Sequence, residues 1–253
     1  MKVFKKNPLC LEHLKKGEKG IIACFGTFRD FEKTEPDLCK ILLSPSFDHQ
    51  ANDAENVDFY AKPAEWKNIN AKTADPETYV ISSVSSRDKL TRYLYDCTSV
   101  FAVGREKKTK KNISFLSHQD PTKFLRERYR EQFTNDLSDS FAELKNRCVK
   151  GTIDAVISGG MFLMDLPDAE WCWDDARKVR KGYKDSISLL SEIAEEVLGF
   201  EPVVICGPKK VERSDSVFCV NNTRRMYIAR PQVGNTMTES YSPSLFSLME
   251  QRW

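Results

Sequence analysis

A chain of 253 residues that is 40% apolar and 30% charged can bury a substantial core without a staple, which excludes a disordered or fibrous protein. Its 39 Lys and Arg stand against 37 Asp and Glu, a formal charge of +2, so it lacks the basic surplus of a nucleic-acid binder and no nucleic acid is expected as a partner. No apolar run approaches the roughly 20 residues that cross a bilayer, and Met1–Lys6 lacks the apolar heart of a secretory signal, so the expected setting is the cytoplasm, away from any membrane.

Residues 1–76 read as an irregular N-terminal extension, because the apolar stretches Ile21–Phe25 and Leu38–Leu43 are interrupted by Pro36, Pro45, Pro63 and Pro76. Cys10 and His13 have the spacing of half a metal site, but His49 and scattered thiols do not supply a convincing second half, so neither metal nor cofactor is expected. The eight cysteines, Cys10, Cys24, Cys39, Cys97, Cys148, Cys172, Cys206 and Cys219, include no Cys-x-x-Cys pair and are expected to be mostly buried thiols.

From residue 77 to residue 233 the pattern sharpens into a domain. Thr78–Val84, Ser99–Val103 and Ile113–Leu116 are β-branched and apolar runs that predict strands. Asp120-Pro121 then predicts an N-cap and first helical residue, and Phe124 or Leu125, Tyr129, Phe133, Leu137, Phe141, Leu144 and Cys148 follow at helical spacing, predicting one long amphipathic helix. Ile153–Ile157 returns to strand and stops at Gly159-Gly160. An acidic loop, Asp165–Asp175, carries Trp171 and Trp173 around Cys172, either covering a sheet edge or gating a pocket. A second helix presents Ile187, Leu190, Ile193, Ala194 and Val197 on one face and ends at Gly199. Strands near Val203–Cys206, Val217–Val220 and Met226–Ala229 close the domain, and residues 234–253 form a polar tail. This order predicts an α/β (α+β) sandwich: a mixed or antiparallel sheet with two main helices layered against it.

The run Arg105–Lys111 is too polar for core and predicts a hairpin loop. If Gly104 faces Lys111 across it, Cys97 faces His118. Directly opposed residues have Cβ atoms roughly 4.5–5.5 Å apart, close enough for thiol and imidazole to meet. That pairing suits nucleophilic catalysis, in which histidine lowers the thiol pKa and then protonates a leaving amine. Of the three histidines, His13, His49 and His118, the last alone has this local geometric argument.

The segment Thr91-Arg92-Tyr93-Leu94-Tyr95-Asp96-Cys97, followed on the next strand by His118, resembles the CheD family of chemoreceptor glutamine deamidases, which place a threonine six residues before the cysteine. Ile157-Ser158-Gly159-Gly160-Met161-Phe162 is similar to the family's strand ending in paired glycines, although Tyr93, Leu94 and Tyr95 replace its glycine-rich turn. Leu116-Ser117-His118-Gln119-Asp120 is also similar to the Leu-x-His-x-Asp stretch of protein N-terminal asparagine amidohydrolases. The resemblance, from about Thr78 to Pro231, implies a CheD-like fold and a hydrolase. Its expected reaction is deamidation of a glutamine or asparagine side chain in a protein or peptide, with Cys97 as nucleophile and His118 as acid and base. Thr91 or Asp120 would orient the imidazole, while Gly159, Gly160 and Ser117 would lie along the substrate. The alternatives are a transglutaminase- or protease-like thiol enzyme, and a non-catalytic binding module whose Lys107–Lys111 loop meets an acidic partner.

Overall fold

The computed structural model describes residues 10–14, 20–27, 31–33, 36–37, 54–58, 71–73, 78–160, 173–206 and 215–230. In chain order the strands are β1 (Cys10–Leu14), β2 (Ile21–Thr27), β3 (Glu55–Asn56), β4 (Tyr79–Ile81), β5 (Lys89–Leu94), β6 (Thr98–Arg105) and β7 (Asn112–Gln119). Helices α1 (Pro121–Phe124) and α2 (Glu127–Arg147) follow, then β8 (Asp154–Gly159), α3 (Trp173–Leu198), β9 (Val203–Cys206), β10 (Asp215–Val220) and β11 (Arg225–Arg230). The predicted acidic loop through residue 172 and the tail at 234–253 lie outside the described residues, and α3 already includes Trp173–Asp175.

The expected single sheet is two sheets. The first has strand order β1-β2-β11-β10-β5-β3 and the second β4-β7-β6-β8-β9. Each mixes parallel and antiparallel pairs, with β2–β11 and β3–β5 parallel in the first and β8–β9 parallel in the second. Alternation along the strands makes this possible, because both faces of the second sheet are apolar. Val100, Ala102, Ile113, Phe115, Ala155 and Ile157 turn toward the helices. Phe101, Val103, Leu116 and Val156 turn the other way, against Ile21, Ala23, Val217, Met226 and Ile228 of the first sheet. The layers are therefore helices, second sheet, first sheet. Residues 10–14, 21–27 and 55–56, within the stretch expected to be irregular, supply three strands of the first sheet. Strand β5 was not anticipated either, since Lys89, Thr91 and Arg92 interrupt any apolar run.

The long helix begins where expected, with Asp120 accepting from the Thr122 N–H and Pro121 in the first turn, but it breaks at Arg126, whose ψ of 140° is extended. Phe124 and Phe133 are nine positions apart, which would put them on opposite faces of a continuous helix. The break lets both enter one core, with ring centroids 4.3 Å apart. Gly199 ends α3 with φ 82°, donating its N–H to Glu195. Cys24, Cys97, Cys148 and Cys219 are buried free thiols. No described helix is long and apolar enough to cross a membrane.

Candidate active site

The site forms where the chain passes from one sheet to the other. In a straight strand Thr91 would lie roughly 20 Å from Cys97. Instead β5 carries a bulge: against β10 its register is regular from Lys89 to Thr91 and has slipped by one residue at Leu94. Tyr93 absorbs the extra residue with φ 60°, a conformation that glycine adopts more easily, and its carbonyl accepts the Tyr95 N–H at 2.8 Å. The chain then enters β6 at Thr98. Thr91 stays in the first sheet, Cys97 stands one residue before β6 of the second, and the inner faces of both sheets point at each other.

Across that gap Thr91 Oγ1 lies 2.7 Å from His118 Nδ1. Both residues are fully buried. His118 occupies the inner face of β7, two positions beyond the inner-facing Leu116, and Cys97 belongs to the same inter-sheet cluster.

The predicted hairpin register is corrected by two residues. Gly104 faces Ile113, and Thr98 faces Gln119, so Cys97 is not directly opposite His118. The strands run further into the polar segment than its composition suggested, because Glu106 N–H donates to the Lys111 carbonyl at 2.8 Å and Lys110 takes a φ of 60° to close the turn. Arg147 and Thr109 hold the Glu106 carboxylate at 2.7 Å each. Cys97 lies one residue before the first pair of this ladder, Thr98 with Gln119, and belongs with His118 to the side that looks toward the first sheet; diagonal residues on one face of paired strands have Cβ atoms roughly 7–8 Å apart.

The proton inventory also differs from expectation. Burial, reinforced by the carboxylates of Asp96 and Asp120 and only partly opposed by Lys123, pushes the Cys97 thiol well above its ordinary range. Its Sγ lies 3.8 Å from Asp96 Oδ1. Burial also drives His118 down to about 3, opposed by a hydrogen bond between the ring and the Val57 carbonyl. At neutral pH the resting pair is thus neutral thiol and neutral imidazole, not the thiolate that an adjacent imidazolium would produce.

The remaining expected residues divide. Asp120 does not orient His118: its Oδ1 accepts from the Thr122 N–H and hydroxyl at 2.8 and 2.7 Å, leaving Thr91 at the ring nitrogen. Ser117 is turned to the helix side by alternation along β7, where its Oγ accepts the Val100 N–H at 3.0 Å. Gly159 and Gly160 do adjoin the cysteine, with φ of 85° and 75°. Gly160 donates its N–H to the Cys97 carbonyl at 2.7 Å, so that donor holds the cysteine backbone and is not turned to a substrate. A Cβ on Gly159 would come within 2.7 Å of that carbonyl, and one on Gly160 within 2.2 Å of the Tyr183 ring. His13 pairs with Ile22 in the first sheet, and His49 lies outside the described residues.

Sequence reasoning missed Asp58, Arg92 and the inner-face serines. Thr91 Oγ1 lies 3.1 Å from Asp58 Oδ1 and 3.1 Å from the Val57 carbonyl, and Asp58 accepts from Arg92 through its backbone N–H and, at 3.1 Å, its Nε. Ser99 and Ser158 share a hydrogen bond of 2.7 Å on the face that carries Cys97. Asp58 follows a two-residue strand, too short for periodicity to reveal. The seryl pair had a signal, since both follow the strand alternation that places Cys97 and His118. No family model matches this sequence, and no curated protein matches it.

Proposed function

We propose that the protein is a cysteine-dependent amidohydrolase that deamidates a glutamine or asparagine side chain of a protein or peptide through a thioester. The 2.7 Å contact between Thr91 and His118 carries this reading. It joins the threonine and histidine that the CheD resemblance singles out, although they lie on different sheets, and Cys97 shares their inter-sheet space. The positive φ of Tyr93 falls within the segment where that family has its glycine-rich turn, which supports a shared backbone course.

The resting pair sets the order of events. As Cys97 Sγ bonds to the carboxamide carbon, the thiol proton passes to His118, avoiding a free thiolate in an apolar setting. The imidazolium returns that proton to the amide nitrogen as the C–N bond breaks and ammonia leaves. Water then attacks the thioester, giving one proton to His118, which passes it to the Cys97 sulfur as the C–S bond breaks, and the carboxylic acid released gives its remaining proton to solvent.

The test is ammonia release from a glutamine- and asparagine-bearing peptide library. The wild-type protein is expected to release ammonia and Cys97→Ala to release none above background; equal release would remove Cys97 from the chemistry. A second reading, a protein-binding module without catalysis, is favoured by one observation: Cys97 is only 8% exposed within an apolar cluster. It predicts no ammonia from either protein and no labelling of Cys97 by a peptide electrophile.

A further inference from the structure

The Thr91 hydroxyl has one proton and three polar neighbours: the Val57 carbonyl, Asp58 Oδ1 and His118 Nδ1. The carbonyl and an ionised carboxylate only accept. When the hydroxyl proton goes to one of these, the hydroxyl turns a lone pair toward Nδ1, which then carries the ring proton, an arrangement that the Val57 carbonyl, itself a hydrogen-bond partner of the His118 ring, also favours. A neutral imidazole protonated at Nδ1 keeps its basic lone pair at Nε2. We propose that Asp58 is a positioning residue for the reaction: through Thr91 it fixes the tautomer of His118 that leaves Nε2 as the base. This rests on reading Cys97 and His118 as the reacting pair.

Two features make Asp58 suited to this task. It is held from both sides, since Oδ1 accepts the Arg92 backbone N–H and Oδ2 accepts Arg92 Nε, with the two side chains 2% and 7% exposed. Burial raises the Asp58 carboxyl, and the Arg92 charge is the largest influence opposing that rise. A carboxylate is also a stronger acceptor than the Val57 carbonyl, so it biases the hydroxyl more firmly. Placing a neutral hydroxyl between carboxylate and ring has a further effect. A carboxylate bonded directly to the imidazole would stabilise its charged form, whereas here burial prevails at His118. Asp58 thereby selects the tautomer without holding the ring protonated.

The experiment reads the His118 ring by two-bond 1H–15N correlation at neutral pH in full-length protein, with the resonance identified by its loss in His118→Gln. The wild-type protein is expected to show the Nδ1–H form. In Asp58→Asn the amide NH₂ competes for the place of Oδ1, turning the Thr91 hydroxyl toward Nδ1. The Nε2–H form should then become prominent, and kcat should fall by at least ~10-fold with KM little changed, as expected for a base in the wrong tautomer. Thr91→Val leaves the Asp58–Arg92 pair in place and should show the same change of tautomer if Asp58→Asn does not fold. Thr91→Ser should restore the wild-type spectrum. An unchanged Nδ1–H form in folded Asp58→Asn or in Thr91→Val, or a serine variant that behaves as the valine one, would overturn the proposal. The spectra need no turnover, so this failure is distinct from that of the deamidase reading, which is decided by ammonia from Cys97→Ala.

Discussion

Asp96 and Asp120 both oppose ionisation of Cys97, and Lys123 is the cation that offsets them. A buried thiol surrounded in this way should be slow toward alkylating reagents. Removing one carboxylate tests the electrostatics directly. Asp96→Asn should lower the Cys97 pKa and speed its modification by iodoacetamide at pH 8 by about three- to tenfold, through a larger thiolate fraction. Peptide mass mapping of Cys97 against the other cysteines measures it, and an unchanged rate would show that burial alone governs the thiol. At this scale the sequence was informative about identities. Of the three histidines, local pairing pointed to His118, which stands 2.7 Å from Thr91, whereas Asp58 was invisible because its contacts with Thr91 and Arg92 span more than thirty positions of chain.

The glycine pair and the β5 bulge set the course of the backbone around the candidate site. Leu94 side-chain atoms come within 3.3 Å of the Cβ position of Gly159, and the Cys97 carbonyl within 2.7 Å. Gly159→Ala combines a left-handed backbone with this crowding and should cost about 2–4 kcal/mol. Urea unfolding should show the loss, with Cys97 displaced and the proposed ammonia release reduced beyond the stability change. A variant as stable and active as wild type would mean that the turn has room to move. Both main helices were legible because Phe133, Leu137, Phe141 and Leu144, and Leu190, Ile193 and Ala194, keep helical spacing against one core. The register of the β6–β7 hairpin was not, since it depends on Arg147, far along the chain, gripping Glu106 and lengthening the ladder. The break at Arg126 was hidden for a similar reason: single-helix periodicity does not register that Phe124 and Phe133 share a core only when the helix is interrupted.

For the whole molecule, the sandwich was legible as a mixture of strands and helices but not as two sheets. Short strands such as Glu55–Asn56 and the polar β5 carry no strong pattern, and their places follow from pairing with residues far away. At one edge of the sandwich, Arg224, next to β11, reaches across to the carbonyls of Thr152 and Val103 at 2.9 and 3.3 Å and to Asp154 at 3.0 Å, tying the sheets together. His118 makes their closure sensitive to acid. Its pKa falls from 6.5 in a free chain to about 3 when folded, so the unfolded chain binds a proton that the native state refuses. The resulting stability is fully present above pH 6.5 and lost as pH falls toward 3, at about 1.4 kcal/mol per unit for this group. Between pH 6.5 and 5 the wild type should lose about 2 kcal/mol more than His118→Gln in urea titrations, and parallel losses would contradict the assignment.

The division of the site between sheets also has a consequence for synthesis. Thr91 lies on β5, and β5 is fixed in place by β10, whose Val217 faces Thr91. A growing polypeptide therefore exposes its cysteine long before the partner strand has emerged from the ribosome. Until β10 arrives, Thr91 has no partner strand to hold it against His118, so the contact that joins the two sheets at the candidate site waits for the last part of the fold.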